Sequence, residues 1–480
     1  MPLILGAQSA VATGFSVDNS SRWNTEGRME RNFTAGNPDI WTFSVWLKRG
    51  IITANYPKIV QAVDPAVAAD NADTGLQFRT NDILDFGNWN SGDDGTKYTD
   101  AMYRDTSAWY HVVTIYDSTE SVAGDRIQIW VNGVRITSFG TSTDPSLNQD
   151  TNFNKASPQC TMHLGGHFGR DSTGRFNGYM AEVAFVDGTA YTASDFGEFN
   201  EDSPTIWQPK DFSGDITFGT NGLYLDFKDA ANLGNDVSGN NNDLTEANFT
   251  AEDQCVDSPT NNFATMNINA NYWSNMTFTE GNTTVKSDHP APALSTIGLT
   301  KGKWYMEGNA FLSTTGGAGD WQIGIVGDQV VATSDEIGNH AKSWAYYGAD
   351  GDYINNNGGT SYGDTYTAGD IIGVAVDLDN NKLYFAKNNV WQDSGDPTSG
   401  ATGTGAISIS AAADAPLNAY FIACGANASS NDYKWKMNFG NPAYSLTSAV
   451  ADGNGYGQFE YAPPSGYLAI CTKNLATDGG

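Results

Sequence analysis

Apolar and polar residues alternate with a period of two along many short stretches of this chain, a pattern typical of half-buried β-strands. Residues 109–137 alternate in this way on both sides of Asn132-Gly133. An Asn-Gly pair favours a two-residue turn because both positions accept positive φ. The pattern predicts a β-hairpin whose cross-strand pairs are Val131 with Val134 and Ile129 with Ile136.

Further segments with this character lie before and after the hairpin, within about the first 200 residues. Together with Trp109, His111 and Val112 they resemble the laminin-G/concanavalin-A-like jelly roll. The segments are FSVDNSSRWN (15–24), WTFSVWLKRG (41–50), MHLGGHFGR (162–170) and FNGYMAEVAFVDGTAYTASDFGEF (176–199).

The second half of the chain resembles a SPRY domain, another two-sheet β-sandwich. Its central block alternates on either side of a turn at 379–381, and Asn388-Asn389 resembles a second family turn in which Asn389 replaces Gly. The segments that carry the resemblance are KWYMEGNAFLS (303–313), WQIGIV (321–326), GDIIGVAVDLDNNKLYFAKNNVW (369–391) and YKWKMNFGNP (433–442).

The composition favours an all-β protein of more than one domain. The 480 residues include 53 Gly and 12% aromatic residues, and no window shows sustained helical periodicity. We expect two antiparallel β-sandwiches: a jelly roll over 1–209 that includes an N-terminal attachment segment, and a SPRY-like domain over 269–480. Residues 210–268 are expected to connect them, and the alternation of Leu223, Leu225 and Phe227 predicts that this connector pairs with a neighbouring sheet.

The formal charge of −30, from 25 basic and 55 acidic residues, argues against nucleic acid and anionic membranes as partners. Cys160, Cys255, Cys424 and Cys471 lie far apart, so free thiols are expected rather than a zinc site or a disulfide scaffold. The N-terminus lacks the pattern of a signal peptide, and no segment reaches membrane-spanning length, so no membrane insertion is expected.

Catalytic chemistry has little support in the sequence. Concanavalin-A-like glucanases place two carboxylates close together on one strand face, whereas Glu182 has no carboxylate two residues away on either side. His111 is expected to pack within the sheet. We therefore predict no catalytic residues and no enzyme activity. A polysaccharide depolymerase that uses Glu182 is the alternative.

Calcium is the one cofactor that the sequence leaves open. Asp377, Asp379 and Asn381 have the spacing of an EF-hand loop, but Lys382 stands where Gly is needed, so a β-turn is the better interpretation. The loop around Asp350 and the cluster at 235–243 could supply oxygen ligands, although solvated turns explain both.

Exposed aromatic residues among Asn and Asp are typical of glycan-binding loops, since sugar rings stack on aromatic faces. Trp89 lies in one such stretch. The strongest is WAYYGADGDYINNN, because SPRY domains bind partners through loops. The predicted ligand-binding residues are Trp344, Tyr346, Tyr347, Asp350 and Tyr353.

Across nearly its whole length the chain resembles bacteriophage fibre and virion-surface proteins. The resemblance rests on the start MPLILG, on VDGTAYTASDFGE and DSPTNNFATMN, and on PPSGYLAICTKNL at 463–475. It implies a tail fibre, head fibre or capsid decoration that is assembled in the host cytoplasm and displayed on the virion surface. The expected partners are other virion proteins, through residues 1–13 or the first jelly roll, and a host surface glycan or protein. A homo-oligomer, with a trimer favoured, is expected by analogy with fibres, and a purely structural cement protein is a further alternative.

Overall fold

The computed structural model divides into two compact units, which cover the described residues up to Thr260 and those from Asn261 onward. They are called the N-terminal and C-terminal units. The structure describes residues 14–24, 26–52, 56–67, 72–90, 92–166, 174–270, 276–287, 290–312, 319–328, 335–427 and 433–478.

The N-terminal unit contains two large sheets and a small one. Sheet A has the strand order β10-β9-β8-β3-β13-β1-β18, with β16 also paired to β13; sheet B has the order β11-β7-β6-β5-β4-β12-β2-β17; and β14 pairs with β15. In chain order the elements are β1 (Ser20–Trp23), β2 (Arg28–Asn32), β3 (Ile40–Arg49), β4 (Lys58–Val63), β5 (Ala72–Phe78), β6 (Ile83–Asn90), β7 (Asp93–Met102), β8 (Trp109–Asp117), β9 (Ile127–Val131), β10 (Val134–Arg135), β11 (Phe139–Thr143), β12 (Thr161–Leu164), β13 (Gly178–Asp187), α1 (Ala193–Phe196), β14 (Gly197–Phe199), β15 (Trp207–Pro209), β16 (Leu223–Leu225), β17 (Thr245–Ala247) and β18 (Gln254–Cys255).

The C-terminal unit is a second pair of sheets. Sheet C has the order β19-β20-β32-β22-β27-β28-β29, with β30 on β28 and β33 parallel to β22; sheet D has the order β21-β31-β23-β24-β25-β26. The elements are β19 (Thr277–Thr279), β20 (Thr284–Ser287), β21 (Ala293–Leu299), β22 (Lys303–Leu312), β23 (Trp321–Val326), β24 (Ser343–Tyr347), β25 (Asp352–Asn355), β26 (Gly358–Ser361), β27 (Ile371–Asp377), β28 (Lys382–Lys387), β29 (Val390–Trp391), β30 (Ile407–Ser408), β31 (Tyr420–Ala426), β32 (Tyr433–Asn438), β33 (Leu468–Ala469) and α2 (Thr472–Asp478).

The all-β prediction of antiparallel sandwiches is confirmed, since strands make up 43% of the chain and helices 8%. Short 3₁₀ turns occupy Ala123–Asp125, Ala251–Asp253, Ile268–Ala270, Gln392–Ser394, Pro397–Thr402 and Ala412–Asp414. Within the described ranges, neither α-helix has the length and apolar character needed to cross a membrane.

The predicted hairpins form as expected. Asn132 and Gly133 have φ of 48° and 76°, and Val131 pairs with Val134 across the turn. In the C-terminal unit, Asn388 and Asn389 also have positive φ, which is the conformation that Asn accepts more readily than most residues. These turns set the registers that place one face of each strand in a core.

Each unit has its own hydrophobic core between its two large sheets. In the N-terminal unit, Phe43 and Val45 of sheet A meet Leu76 and Phe86 of sheet B. In the C-terminal unit, sheets C and D meet through the side chains of Met306, Trp435, Ile323 and Tyr346.

The segment that was expected to connect two domains is largely part of the N-terminal unit. β16 pairs with β13, and Leu223, Leu225 and Phe227 are buried, as their alternation predicted. The compact units meet in sequence at Thr260 and Asn261, so residues 210–260 belong to the first sandwich and only 261–268 of the expected connector belong to the second.

Candidate functional site

The five residues predicted to bind a ligand do not share one surface. Trp344 and Tyr346 of β24 point into the core of the C-terminal unit and are 4% and 0% exposed. Their ring centroids lie 5.8 Å from Tyr420 and 5.3 Å from Phe385, respectively. This burial leaves neither ring face open to a ligand, so these two residues contribute to packing rather than to a binding surface.

The other three predicted residues lie around the turn that joins β24 to β25. Tyr347 and Tyr353 are partly exposed and Asp350 is exposed. The Tyr347 hydroxyl donates to Oδ1 of Asp320 at 2.9 Å, and Tyr433 donates to Oδ2 of the same carboxylate. Burial, followed by the bond to Asp320, raises the pKa of Tyr347, so its hydroxyl remains a donor. A ligand contact at Tyr347, Asp350 and Tyr353 stays a prediction.

In the loops considered for calcium, carboxylate oxygens accept hydrogen bonds from backbone N–H groups. The buried Asp236 carboxylate accepts the backbone N–H groups of Tyr224 at 2.9 Å and Asn242 at 2.7 Å. Asp350 accepts the N–H of Asp352 at 3.0 Å. Among the described residues, no group of three or more acidic, His or Cys side chains is placed to hold a metal ion.

Glu182, the residue considered for catalysis, lies inside the N-terminal unit. The register between β13 and β3 shifts between Ala181 and Ala184, and Glu182 has φ of 48° at this β-bulge. Glu182 is 4% exposed, and its carboxylate accepts a hydrogen bond from the hydroxyl of Tyr224 at 2.5 Å. Burial raises the pKa of Glu182 to about 7, with the Tyr224 bond opposing this effect.

His111 is a packed sheet residue, as expected. Its ring stacks on Trp46, with a centroid distance of 4.7 Å, and lies nearly parallel to Trp207, whose centroid is 5.9 Å away. Trp207 Nε1 donates to His111 Nδ1 at 2.9 Å, so Nε2 carries the proton and faces the Ser44 hydroxyl at 2.9 Å. Burial lowers the pKa of His111 to about 3, and the neutral ring serves as a structural link.

Sheet B carries a set of polar residues on the side away from its core, which the sequence analysis did not identify. Leu76 and Phe86 of its central strands point into the core, so their alternate neighbours point away from it. We call this set the polar face; it comprises Lys58, Gln61, Asp73, Gly75, Gln77, Asp85, Gly87 and Trp89. Trp89 is exposed and Gln77 is partly exposed, whereas the other six residues are buried.

The two carboxylates of the polar face are fixed by donors. Oδ2 of Asp73 accepts Lys58 Nζ at 2.7 Å and Gln61 Nε2 at 2.8 Å. Oδ2 of Asp85 accepts Nη1 of Arg79 at 3.0 Å, and burial raises the pKa of Asp85 despite this partner. Each carboxylate is thus held by a cation, which is typical of a structural or binding network. A general acid would need a labile proton.

The centre of the polar face is formed by main chain. Gly75 and Gly87 are directly paired across β5 and β6, so neither residue contributes a side chain between the two carboxylates. A Cβ on Gly87 would lie 2.7 Å from Nε1 of Trp89, which shows that the indole leans over this glycine. Trp89 is 37% exposed. The result is an exposed aromatic ring over a layer of fixed carboxylate and amide groups that are largely buried.

The two sandwiches match known families. Residues 27–195 match the concanavalin A-like lectin/glucanases superfamily, and residues 303–427 match the SPRY domain. The chain therefore contains a concanavalin A-like domain of the laminin-G type followed by a SPRY domain, as the two resemblances predicted. The comparison with curated proteins found no match.

Solved structures similar to this chain include two human SPRY domains. That of HERC1 is 16% identical, with 32% of this chain and 86% of that chain covered and a TM-score of 0.25. The second is 19% identical, with coverages of 32% and 90% and a TM-score of 0.25. Stonustoxin is 17% identical, with 36% of this chain and 27% of that chain covered and a TM-score of 0.26.

Proposed function

We propose that this protein is a non-enzymatic adhesion protein of a bacteriophage virion surface, and that its N-terminal unit binds a host surface glycan. The phage part of the proposal rests on the resemblance of the chain to fibre and virion-surface proteins. The binding part rests on one observation, the polar face of sheet B with Trp89 at its edge.

The chemistry of the polar face suits a sugar. A pyranose ring presents apolar C–H groups that pack on an aromatic face, and its hydroxyl groups need both acceptors and donors. Trp89 supplies an exposed ring, and the partly exposed Gln77 supplies an amide that donates to the buried carboxylate of Asp85.

A binding role is proposed rather than catalysis because of the state of the carboxylates. Glu182 is enclosed beside Tyr224, and Asp73 is held by Lys58. Neither arrangement provides the exposed acid and nucleophile that a retaining glycosidase places about 5 Å apart.

The test uses the full chain and polysaccharide extracted from the host envelope, immobilised for biolayer interferometry. Trp89→Ala is expected to weaken binding about fivefold, since an aromatic contact contributes about 1 kcal/mol. Met102→Ala, an exposed change on the neighbouring strand β7, is the control and is expected to bind like wild type. Equal binding by both variants would refute the polar face as the site. Reducing ends released by wild type but not by Glu182→Gln would favour a depolymerase.

Attachment to the particle is assigned in this proposal to residues 1–13, which lie outside the described residues. A chain without them is expected to be folded and soluble but absent from particles. Normal incorporation of the truncated chain would contradict this assignment. Particles that carry the wild-type protein, imaged by electron cryomicroscopy, would show whether the protein lies on the head or the tail and whether it is a trimer.

A further inference from the structure

Sheet C has an outer face that is only partly covered. Along β22, Trp304 and Met306 belong to the core of the C-terminal unit, so Glu307, Asn309 and Phe311 project from the opposite face. This outer face runs from Glu307 at one end to Phe311 at the other, about 13 Å along the strand.

The C-terminal segment covers the Glu307 end. The Glu307 carboxylate accepts the backbone N–H groups of Glu460 at 2.9 Å and Tyr461 at 2.8 Å. Next to it, the Tyr305 ring lies 5.2 Å from Phe459. The negative charge of Glu307 is therefore enclosed and fully engaged, and Glu307 is 0% exposed.

The other end of the face is cationic and aromatic. Phe311 pairs with Lys434 in the ladder between β22 and β32, and Asn309 pairs with Lys436. The Nζ atoms of Lys434 and Lys436 lie 5.5 and 5.1 Å from the Phe311 ring centroid. On the far side of β32, Lys286 pairs with Lys434. We call Lys286, Phe311, Lys434 and Lys436 the cationic patch.

This grouping is unusual in a chain with 25 basic and 55 acidic residues. Within the described part of the chain, the structure records no ion pair between a carboxylate and Lys434 or Lys436; their ammonium groups contact the Phe311 ring. All four patch residues are partly exposed. The patch is thus a local concentration of positive charge whose complement is an anion.

We propose that the cationic patch binds an anionic polysaccharide, with an acidic group of the polymer beside each ammonium and a sugar ring over Phe311. Lys434 and Lys436 are two residues apart on one strand, so their stems are separated by about 7 Å. A polymer that repeats an acidic group and carries apolar ring faces meets both the spacing and the aromatic contact. This site is on the C-terminal unit and is independent of the polar face of sheet B.

The test is titration of the full chain with polygalacturonate and with dextran sulfate, with neutral dextran as the comparison polymer. Wild type is expected to bind both anionic polymers and not dextran. The double variant Lys434→Gln/Lys436→Gln is expected to lose at least tenfold in affinity, and Phe311→Ala about fivefold. Raising the salt concentration is expected to weaken binding of wild type more than of the double variant.

A matched control separates the patch from net charge. Lys301→Gln/Lys382→Gln also removes two positive charges from the C-terminal unit, but outside the patch. Lys301 is exposed, and Lys382 contacts the Ser408 hydroxyl. This control is expected to bind like wild type. Equal losses in both double variants, or no binding by wild type, would overturn the proposal. Salt-sensitive self-association that only Lys434→Gln/Lys436→Gln abolishes, without polymer binding, would identify a second copy of the chain as the occupant and also overturn it.

These outcomes are distinct from those for the polar face. Trp89→Ala leaves the cationic patch intact, so it is expected to bind polygalacturonate like wild type. Lys434→Gln/Lys436→Gln likewise leaves Trp89 and the polar face unchanged. Melting temperatures within 2–3 °C of wild type, about 1 kcal/mol or less for units of this size, would show that each loss of binding is local.

Discussion

The hydroxyl of Tyr224 donates a hydrogen bond to Oε2 of Glu182 at 2.5 Å, within the N-terminal unit. Glu182 occupies the bulge of β13, and Tyr224 lies on β16, which pairs with β13 directly after that bulge. The extra residue of the bulge turns the carboxyl group toward the strand that provides its donor. The same geometry removes Glu182 from solvent and from any substrate.

Glu182 is expected to make the stability of the N-terminal unit depend on pH. Its pKa is raised from 4.5 to about 7 in the folded state, so folding favours the protonated form. The stabilisation is therefore complete below about pH 4.5 and is lost as the pH rises through 7, by up to about 3 kcal/mol. Glu182→Gln keeps an acceptor for Tyr224 without a charge and is expected to be more stable than wild type at pH 8.

Pulse proteolysis in urea at pH 4 and pH 8 measures this effect in the full chain. Glu201→Gln, at an exposed position of the same unit, is the control and is expected to follow wild type at both pH values. If Glu182→Gln were no more stable than wild type at pH 8, burial of the ionised Glu182 carboxylate would not destabilise the folded state.

His111 is expected to make stability depend on pH in the opposite direction from Glu182. Burial lowers its pKa from 6.5 to about 3, so only the unfolded chain binds a proton at intermediate pH. The stabilisation is complete above about pH 6.5 and is lost progressively as the pH falls toward 3, by at most about 5 kcal/mol. His111→Gln is expected to be less stable at pH 8, because the stacking on Trp46 is weakened, but to lose less stability on acidification.

The two titrations overlap, so the His111 effect is best measured in a Glu182→Gln background. His340→Gln, which removes a partly exposed ring beside Asp335, serves as the control. Parallel acid profiles for His111→Gln and its parent would contradict the assignment of a neutral buried ring.

Substitutions of the two tyrosines of β24 are expected to differ in their cost in stability, because Tyr346 is buried and Tyr347 is partly exposed. Tyr346→Ala would leave a cavity at a fully buried position and is expected to destabilise the C-terminal unit by about 3–5 kcal/mol. Tyr347→Ala loses a partly exposed ring and its bond to Asp320, with an expected cost of about 1 kcal/mol. Thermal unfolding of both variants distinguishes them, and equal costs would contradict the proposed division between core and surface.

Turn chemistry explains why so much of the fold was predictable. Asn132-Gly133 and Asn388-Asn389 each place two residues at positive φ, and few residue types accept that conformation. Once such a turn is located, the period of two fixes which residues face the core. The connector strand β16 was predictable for the same reason, since Leu223 and Leu225 alternate with Tyr224.

The site was harder to predict because alternation does not distinguish a core aromatic from a surface one. Trp344 and Tyr346 alternate toward the core, whereas Tyr347 faces outward, and the segment WAYYG alone does not reveal which set is buried. The polar face was missed because its residues come from three strands and look unremarkable in each. The available signal was that Gly75 and Gly87 lie opposite each other on neighbouring strands. This signal can be used only once the pairing of the two strands is known.

Gly87 is expected to control the position of Trp89. A Cβ at this position would come within 2.7 Å of Trp89 Nε1, so Gly87→Ala forces the indole to move off the sheet. Because the ring is at the surface, the expected cost in stability is small, about 1 kcal/mol or less, while glycan binding is expected to fall as far as in Trp89→Ala. The double variant Gly87→Ala/Trp89→Ala is expected to bind no worse than either single variant, since both changes remove the same contact. Biolayer interferometry on the four proteins measures this non-additivity. Additive losses would mean that Gly87 contributes to binding in some way other than through the orientation of Trp89.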